Sequence, residues 1–319
     1  MGTLLEVWYW CLHIWRYLFP TGHFNANEIP NLTGRVMLVT GTIFSSYSHL
    51  NTHTQVLLEH NAKVYMASRS EEKAQLAINE LREETGKDAI FLQLDLSSLA
   101  SVRRAAETFM SKETELHVLI NNAGVMGSPL DLLTEDGHDF VFGTNVIGHH
   151  LLTKLLLPAL LAGKETAPDH HARVITVASS AALLHAINWD ALRDGPARRG
   201  TCVEHLYYQS KFANVVLARQ LAKRYGCDDI LSIPVDPGII RTDIMRNLPA
   251  IQRAFLRRVS YPASFGALNP LWAGTMPEAL NCNGQFVIPL ATVAPCRQEA
   301  YDDEVGSRLW DWLEEQVKQ

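Results

Sequence analysis

At 319 residues, 47% of them hydrophobic, the chain can bury a large core without disulfide or metal staples. Its net charge of −6, spread over the whole length, excludes a nucleic-acid groove, which needs clustered Lys and Arg. Five scattered cysteines (Cys11, Cys202, Cys227, Cys282 and Cys296) show no CxxC or CxxH spacing and read as free thiols of a reducing, intracellular compartment.

The segment "LLEVWYWCLHIWRYLF" (residues 4–19) is apolar and aromatic but is interrupted by Glu6, His13 and Arg16. It falls short of the roughly 20 residues a spanning helix needs, and it lacks the basic start and small-residue cleavage site of a signal peptide. Its Trp and Tyr content suits a helix lying in a membrane interface or one packed on the protein's own surface or a partner. A cytoplasmic protein, peripheral to a membrane in the first case, is expected. Pro20 and Gly22 end the segment, and "NANEIPNLTG" reads as a linker, so residues 1–30 are expected to form an appendage and residues 31–319 one domain.

From Gly34 onward short β-branched runs alternate with helical periods. The strand candidates are "RVMLVT", "KVYMAS", "IFLQLD", "LHVLINN", "RVITVAS", "ILSIPVD" and "GQFVIP". Helical segments such as "EEKAQLAINELREETG", which stops at Gly86, separate them. Apolar strands alternating with helices predict an α/β domain: a doubly wound, Rossmann-type parallel sheet covered on both faces. No linker, repeat or low-complexity run divides it. A C-terminal helical cap, "SRLWDWLEEQVKQ", is expected to carry Trp310, Leu313 and Val317 on one packing side.

In "YYQSK", Tyr207 and Lys211 stand four apart at the start of a helix, on one face. A phenol with a pKa near 10 is a poor acid or base at neutral pH, and a neighbouring ammonium favours its phenolate. That spacing alone is common on solvated helices, so its surroundings decide. Upstream lie "RVITVASSAA", with Ser179 and Ser180, then "LINNAGVMG" and "FGTNVIGHHLLTKLLLP"; downstream lies "DPGIIRTDI". In this order the set resembles the short-chain dehydrogenase/reductase family, from about Asn31 to the C-terminus, most closely its retinol-dehydrogenase-like and fungal reductase members.

The resemblance implies roles. Tyr207 would be the general acid/base at the carbinol oxygen. Lys211 would lower the Tyr207 pKa and bind the nicotinamide ribose. Ser179, with Ser180 as the alternative, would polarise the carbonyl. Asn145 would kink its helix and support the water chain that feeds Lys211. Asn122, Ala123 and Gly124 would let backbone approach the cofactor, Asp95 would contact adenine, and Ile240 and Thr242 the carboxamide. Asn121 is expected to tie strands together, and Asp236 stands where relatives often carry His or Asn. Arg69 after the second strand, with Lys73 four residues on and no acid at the strand end, favours NADP(H) over NAD.

One motif departs from the family. Relatives read TGxxxGxG after the first strand, the glycines serving tight turning, approach to pyrophosphate and close helix packing. Here Thr40 and Gly41 remain, but the later glycine positions fall on Ser45 and Tyr47 counted forward, or on Ser48 and Leu50 counted back. Neither register restores a glycine. Ser45, Ser46 and Ser48 can offer hydroxyls to phosphate or cap a late-starting helix, and cofactor binding weaker than in a glycine-complete relative is expected.

Residues 243–262 fall where the family builds a substrate lid. Met245, Leu248, Ile251, Phe255 and Leu256 make this segment apolar, which suits a hydrophobic substrate and, equally, plain packing. The thirteen His include no HExxH or other helical metal pair, so no metal is expected. The resemblance implies an NADP(H)-dependent oxidoreductase interconverting a carbonyl and an alcohol, in a setting such as secondary metabolism. The competing expectation is a binding or scaffold protein that keeps the Ser, Tyr and Lys by descent but has lost the turn. The sequence leaves substrate identity and oligomeric state open.

Overall fold

The computed structural model describes residues 22–41, 52–238, 240, 261 and 263–318. The expected appendage at residues 4–19, the altered turn with Ser48, Thr242, and all of the expected lid except Tyr261 lie outside them.

Eight strands form one sheet: β1 (Val36–Thr40), β2 (Lys63–Ser68), β3 (Ile90–Gln93), β4 (Val118–Asn121), β5 (Ala172–Val177), β6 (Ile230–Val235), β7 (Val287–Ile288) and β8 (Thr292–Val293). Their order is β3-β2-β1-β4-β5-β6-β7-β8, parallel throughout except for the β7–β8 pair. All seven strand candidates are present. The eighth, two residues long, is antiparallel and too short to show a period. Every residue of β1, β4, β5 and β6 is buried, as a sheet covered on both faces requires.

The main helices are α1 (Thr52–Glu59), α2 (Glu71–Thr85), α3 (Leu99–Met110), α4 (Phe140–Thr166), α5 (Val203–Tyr225), α6 (Ala263–Thr275) and α7 (Asp303–Gln316). Alternate β1 residues feed two cores. Leu38 joins Val102, Leu151, Val215 and Leu313 from α3, α4, α5 and α7. Met37 and Val39 join Leu57, Ile78 and Leu271 from α1, α2 and α6. Ile29 and Leu32 are buried in this second core, together with Phe24 just before them, so the stretch read as a linker contributes to the domain's packing. Helix α2 starts on Ser70, whose hydroxyl accepts the Lys73 N–H, and stops at Gly86 in the left-handed region (φ 70°).

Among the described residues, α4 is the one helix long and apolar enough to cross a membrane, yet 67% of its most apolar window is buried inside the domain. It is a core helix. Its start is fixed by Asp139, whose Oδ1 accepts the Phe142 N–H at 2.8 Å. The other carboxylate oxygen of Asp139 takes the Arg198 Nε–H at 2.8 Å, and both residues are buried. The Arg198 guanidinium also donates to the carbonyls of Leu130 and Leu132, pinning the loop between β4 and α4. Helix α7 closes the outer face of α4. Trp312 packs edge-on to Phe142, Glu314 pairs with His150 and Lys154, and Gln316 bonds His138. The buried side of α7 runs through Gly306, Leu309, Leu313 and Gln316 with Val317, while Trp310, placed on that side from sequence, is only half-buried.

Candidate active site

The parallel strands β1, β4, β5 and β6 end together at Thr40, Asn121, Val177 and Val235. Strand order reverses between β1 and β4, and in open α/β sheets ligands bind beyond the strand ends at such a point. Here Asn122, Ala123 and Gly124 meet the end of β1. The Thr40 hydroxyl accepts the N–H groups of Asn122 and Ala123, each at 3.0 Å, and the Asn122 side chain donates to the Thr40 carbonyl. Gly41 has φ +71°, and a Cβ there would lie 2.6 Å from Ala123 Cα. Only glycine suits both the conformation and the contact, so the one glycine kept in the altered turn is required where it stands.

Ser179, Tyr207, Lys211 and Asn145 come together at the ends of β4 and β5. Tyr207 and Lys211 sit on the buried face of α5, with the Lys211 Nζ 5.8 Å from the Tyr207 ring centroid. Ser179 caps a short 3₁₀ turn (Ser180–Leu183) with its side chain toward Ala181 N, and it hydrogen-bonds the Tyr207 side chain. Lys211 Nζ donates to the Val177 carbonyl at 2.8 Å. Burial pushes the Tyr207 phenol up to about 12, opposed by the Ser179 bond. Burial lowers the Lys211 ammonium to about 8. The sequence reading had Lys211 drawing Tyr207 down. In this geometry Ser179 supplies that pull, and Lys211 is turned to the Val177 carbonyl.

Asn145 lies inside α4 in a π-helical stretch, Gly143–Ile147, where the Gly148 N–H bonds the Gly143 carbonyl. Such π-bulges are rare and gather at functional sites. The Asn145 side chain takes the Val125 N–H at 2.8 Å and donates to Val125 O and to Ser210 Oγ. A Cβ on Gly124 would stand 3.4 Å from Lys211 Nζ and 3.5 Å from Asn145 Oδ1, so the missing side chain leaves a corner that both groups face. Around Tyr207 the wall is apolar: Val141 and Ala181 are buried against it, with Val125, Met126 and Tyr208 partly buried.

The remaining predicted residues are spread along the strand ends. Arg69 and Lys73 are exposed just past β2. Asp95 follows β3 with one carboxylate oxygen engaged by the Ser97 N–H and hydroxyl. Ile240 bridges to Tyr261. Asn121 pairs in register with Thr176 of β5, and its side chain ties β4 to α4 through Thr153. Asp236 ends β6, is buried, and accepts the N–H groups of Gly238 and Ser180, which joins the β6 end to the Ser179 loop. Burial raises its carboxyl to about 7.

The sequence left two polar residues of this region without a role. Thr40 stood only as a kept member of the altered turn. His149 passed as half of an adjacent His pair, although it lies one turn after Asn145 with its Nε2 2.9 Å from the Thr40 hydroxyl oxygen. The available signal was its spacing of four from Asn145.

Among the described residues no group of three or more His, Cys, Asp or Glu could hold a metal ion. A family model described as short chain dehydrogenase matches residues 51–191, beginning on the far side of the altered turn. A short-chain dehydrogenase/reductase of Armillaria gallica is 50% identical over 299 residues, covering 94% of this chain and 95% of its own. One from Emericella nidulans is 35% identical over 304 residues, covering 91% and 95%. A crystal structure from Mycobacterium paratuberculosis superposes with a TM-score of 0.70 at 29% identity, over 94% of this chain and 98% of that one. The Pseudomonas aeruginosa RhlG/NADP complex superposes with a TM-score of 0.62 at 25% identity, over 81% and 95%.

Proposed function

The chain belongs to the short-chain dehydrogenase/reductase family and is an oxidoreductase; on that premise we propose that it interconverts a carbonyl and an alcohol on a hydrophobic small molecule, using NADP(H). The observation that carries this reading is the convergence of Ser179, Tyr207, Lys211 and Asn145 on one corner beside the glycine of Asn122-Ala123-Gly124. A non-catalytic descendant would have no need to keep Tyr207, Lys211 and Asn145 buried and in register with Ser179, since burying polar groups costs free energy.

The residues present fit a nicotinamide dinucleotide. Gly41 and Gly124 leave room where a Cβ would intrude, and Lys211 has one of its three N–H donors engaged among the described residues. Bound NADPH supplies the hydride. In the reducing direction Tyr207, protonated at neutral pH, donates its proton to the oxygen that gains charge as the hydride arrives, and Ser179 holds that oxygen. Lys211, brought near neutrality by burial, can then pass a proton toward Tyr207, with Asn145 fixing the corner between them. Val125, Met126, Ala181 and Tyr208 offer the substrate an apolar wall.

Arg69 and Lys73, exposed beyond β2 without a carboxylate at the strand end, support NADP(H). RhlG, solved with NADP, is in keeping with it. The reading places the protein inside the cell, where this cofactor is held and thiols stay reduced; Cys202, Cys227, Cys282 and Cys296 are all unpaired. A step in a small-molecule biosynthetic pathway belongs to the same proposal. The altered turn favours the second reading, a cofactor-impaired binding protein.

Titration of the purified protein with NADPH separates the two. Saturable binding, followed by reduction of an apolar ketone or aldehyde that Tyr207→Phe slows about 10²- to 10⁴-fold, supports the enzyme. Absence of binding at millimolar NADPH supports the alternative. Binding in the low-micromolar range or tighter would overturn the expectation that the altered turn weakens the grip.

A further inference from the structure

The Thr40 hydroxyl already accepts two N–H groups, so its own proton must go elsewhere. Two acceptors are within reach: the Ile120 carbonyl at 3.5 Å and His149 Nε2 at 2.9 Å. The shorter contact wins, which makes Nε2 an acceptor and puts the ring proton on Nδ1. Nδ1 in turn stands 3.0 Å from the Asn145 carbonyl and donates to it. The chain of bonds is therefore directed without a gap, from the N–H groups of Asn122 and Ala123 through Thr40 and His149 to the backbone of the π-turn. His149 is buried, and burial with the nearby Lys211 charge lowers its imidazole to about 4, so it stays neutral with this tautomer at working pH.

We propose that His149 is a positioning residue: it bridges the π-turn that carries Asn145 to the last residue of β1, and so holds the proton relay and the cofactor-facing backbone of Asn122 and Ala123 in one geometry. This rests on the reading of the site as a nicotinamide-dependent reductase. The two halves of the site sit on different elements, Asn145 on α4 and Thr40 on β1. His149 is the side chain that spans them.

The test compares His149→Leu, Thr40→Val and the double variant, read by NADPH titration, by kcat and KM separately, and by amide hydrogen exchange at Asn122 and Ala123 in the cofactor-free protein. His149→Leu is expected to weaken NADPH binding about tenfold, lower kcat about tenfold, and speed exchange at both amides. The double variant should be no worse than the poorer single one, because both remove one bridge. His149→Gln can still accept from Thr40 but loses the bond to the Asn145 carbonyl. It should restore NADPH affinity while leaving kcat low, a split that a purely structural role would not produce.

The proposal is overturned if a folded His149→Leu protein keeps wild-type exchange at Asn122 and Ala123, or if the effects of the two single variants simply add. Should His149→Leu fail to fold, His149→Gln carries the same comparison. If the wild-type protein takes up no NADPH, the functional reading fails by itself. The exchange measurement then still decides the bridge: faster exchange upholds it and unchanged exchange refutes it.

Discussion

Replacing Lys211 with Met should stabilise the cofactor-free protein at neutral pH while abolishing turnover. The Lys211 ammonium is buried, and its pKa falls from 10.5 to about 8. A base whose folded pKa lies below its unfolded value binds fewer protons when folded, so stability rises with pH between the two values. Below pH 8 the fold therefore carries a penalty of about 3 kcal/mol, at 1.36 kcal/mol per unit, and the penalty is relieved as pH climbs toward 10.5. Met removes the charge at similar length but forfeits the bond to the Val177 carbonyl, a loss of about 1 kcal/mol. The net expectation at pH 7 is a gain of about 2 kcal/mol, or roughly 3 °C in melting temperature for a domain of this size. Melts of the two proteins from pH 7 to pH 10 measure it. The gap should close as pH rises. A variant that melts below wild type at pH 7, or a gap that does not change with pH, would refute the reasoning.

Asp236 offers the opposite sign. Its carboxyl is raised from 3.8 to about 7, so the fold loses stability as pH climbs through that window, and Asp236→Asn should melt higher than wild type at pH 8 but not at pH 4. Arg198→Met leaves Asp139 charged and unpaired in the interior and should cost about 3–5 kcal/mol in denaturant unfolding; adding Asp139→Asn should recover part of it. Arg69→Ser should weaken NADPH binding about 10- to 100-fold while leaving NADH within about twofold, as loss of a charge-assisted bond to a 2′-phosphate predicts. Equal loss for both cofactors would place Arg69 elsewhere.

How much of this was legible beforehand varies by the kind of signal each feature leaves. Seven of the eight strands were readable because β-branched apolar runs recur between helical periods, and the end of α2 because Gly86 marks a left-handed stop. The assembly of Tyr207, Lys211, Ser179 and Asn145 followed from motif order, not from the spacing of any pair. The irregularity at Asn145 was expected from the resemblance alone, because the extra residue of a π-turn leaves no periodic trace over five positions. His149 was overlooked for a related reason: its partner Thr40 is 109 residues away, and nothing local shows that contact. The balance of pKa values at Tyr207 needed burial depth, which a sequence does not give. Ile29 and Leu32 looked like linker residues because isolated apolar side chains among Asn and Pro carry no pattern.

The clasp of α7 on α4 also bears on how the chain is made. His138 and Gln316, which bond in the finished fold, are 178 residues apart, so α4 waits for almost all the remaining synthesis before its outer face is covered. Over that interval the face of α4 that bears Phe142 and His150 lacks its α7 cover. A message cut short before Asp303 would leave it so permanently, with Phe142 and His150 uncovered. The clasp on α4 is thus set last, by residues that only the final helix supplies.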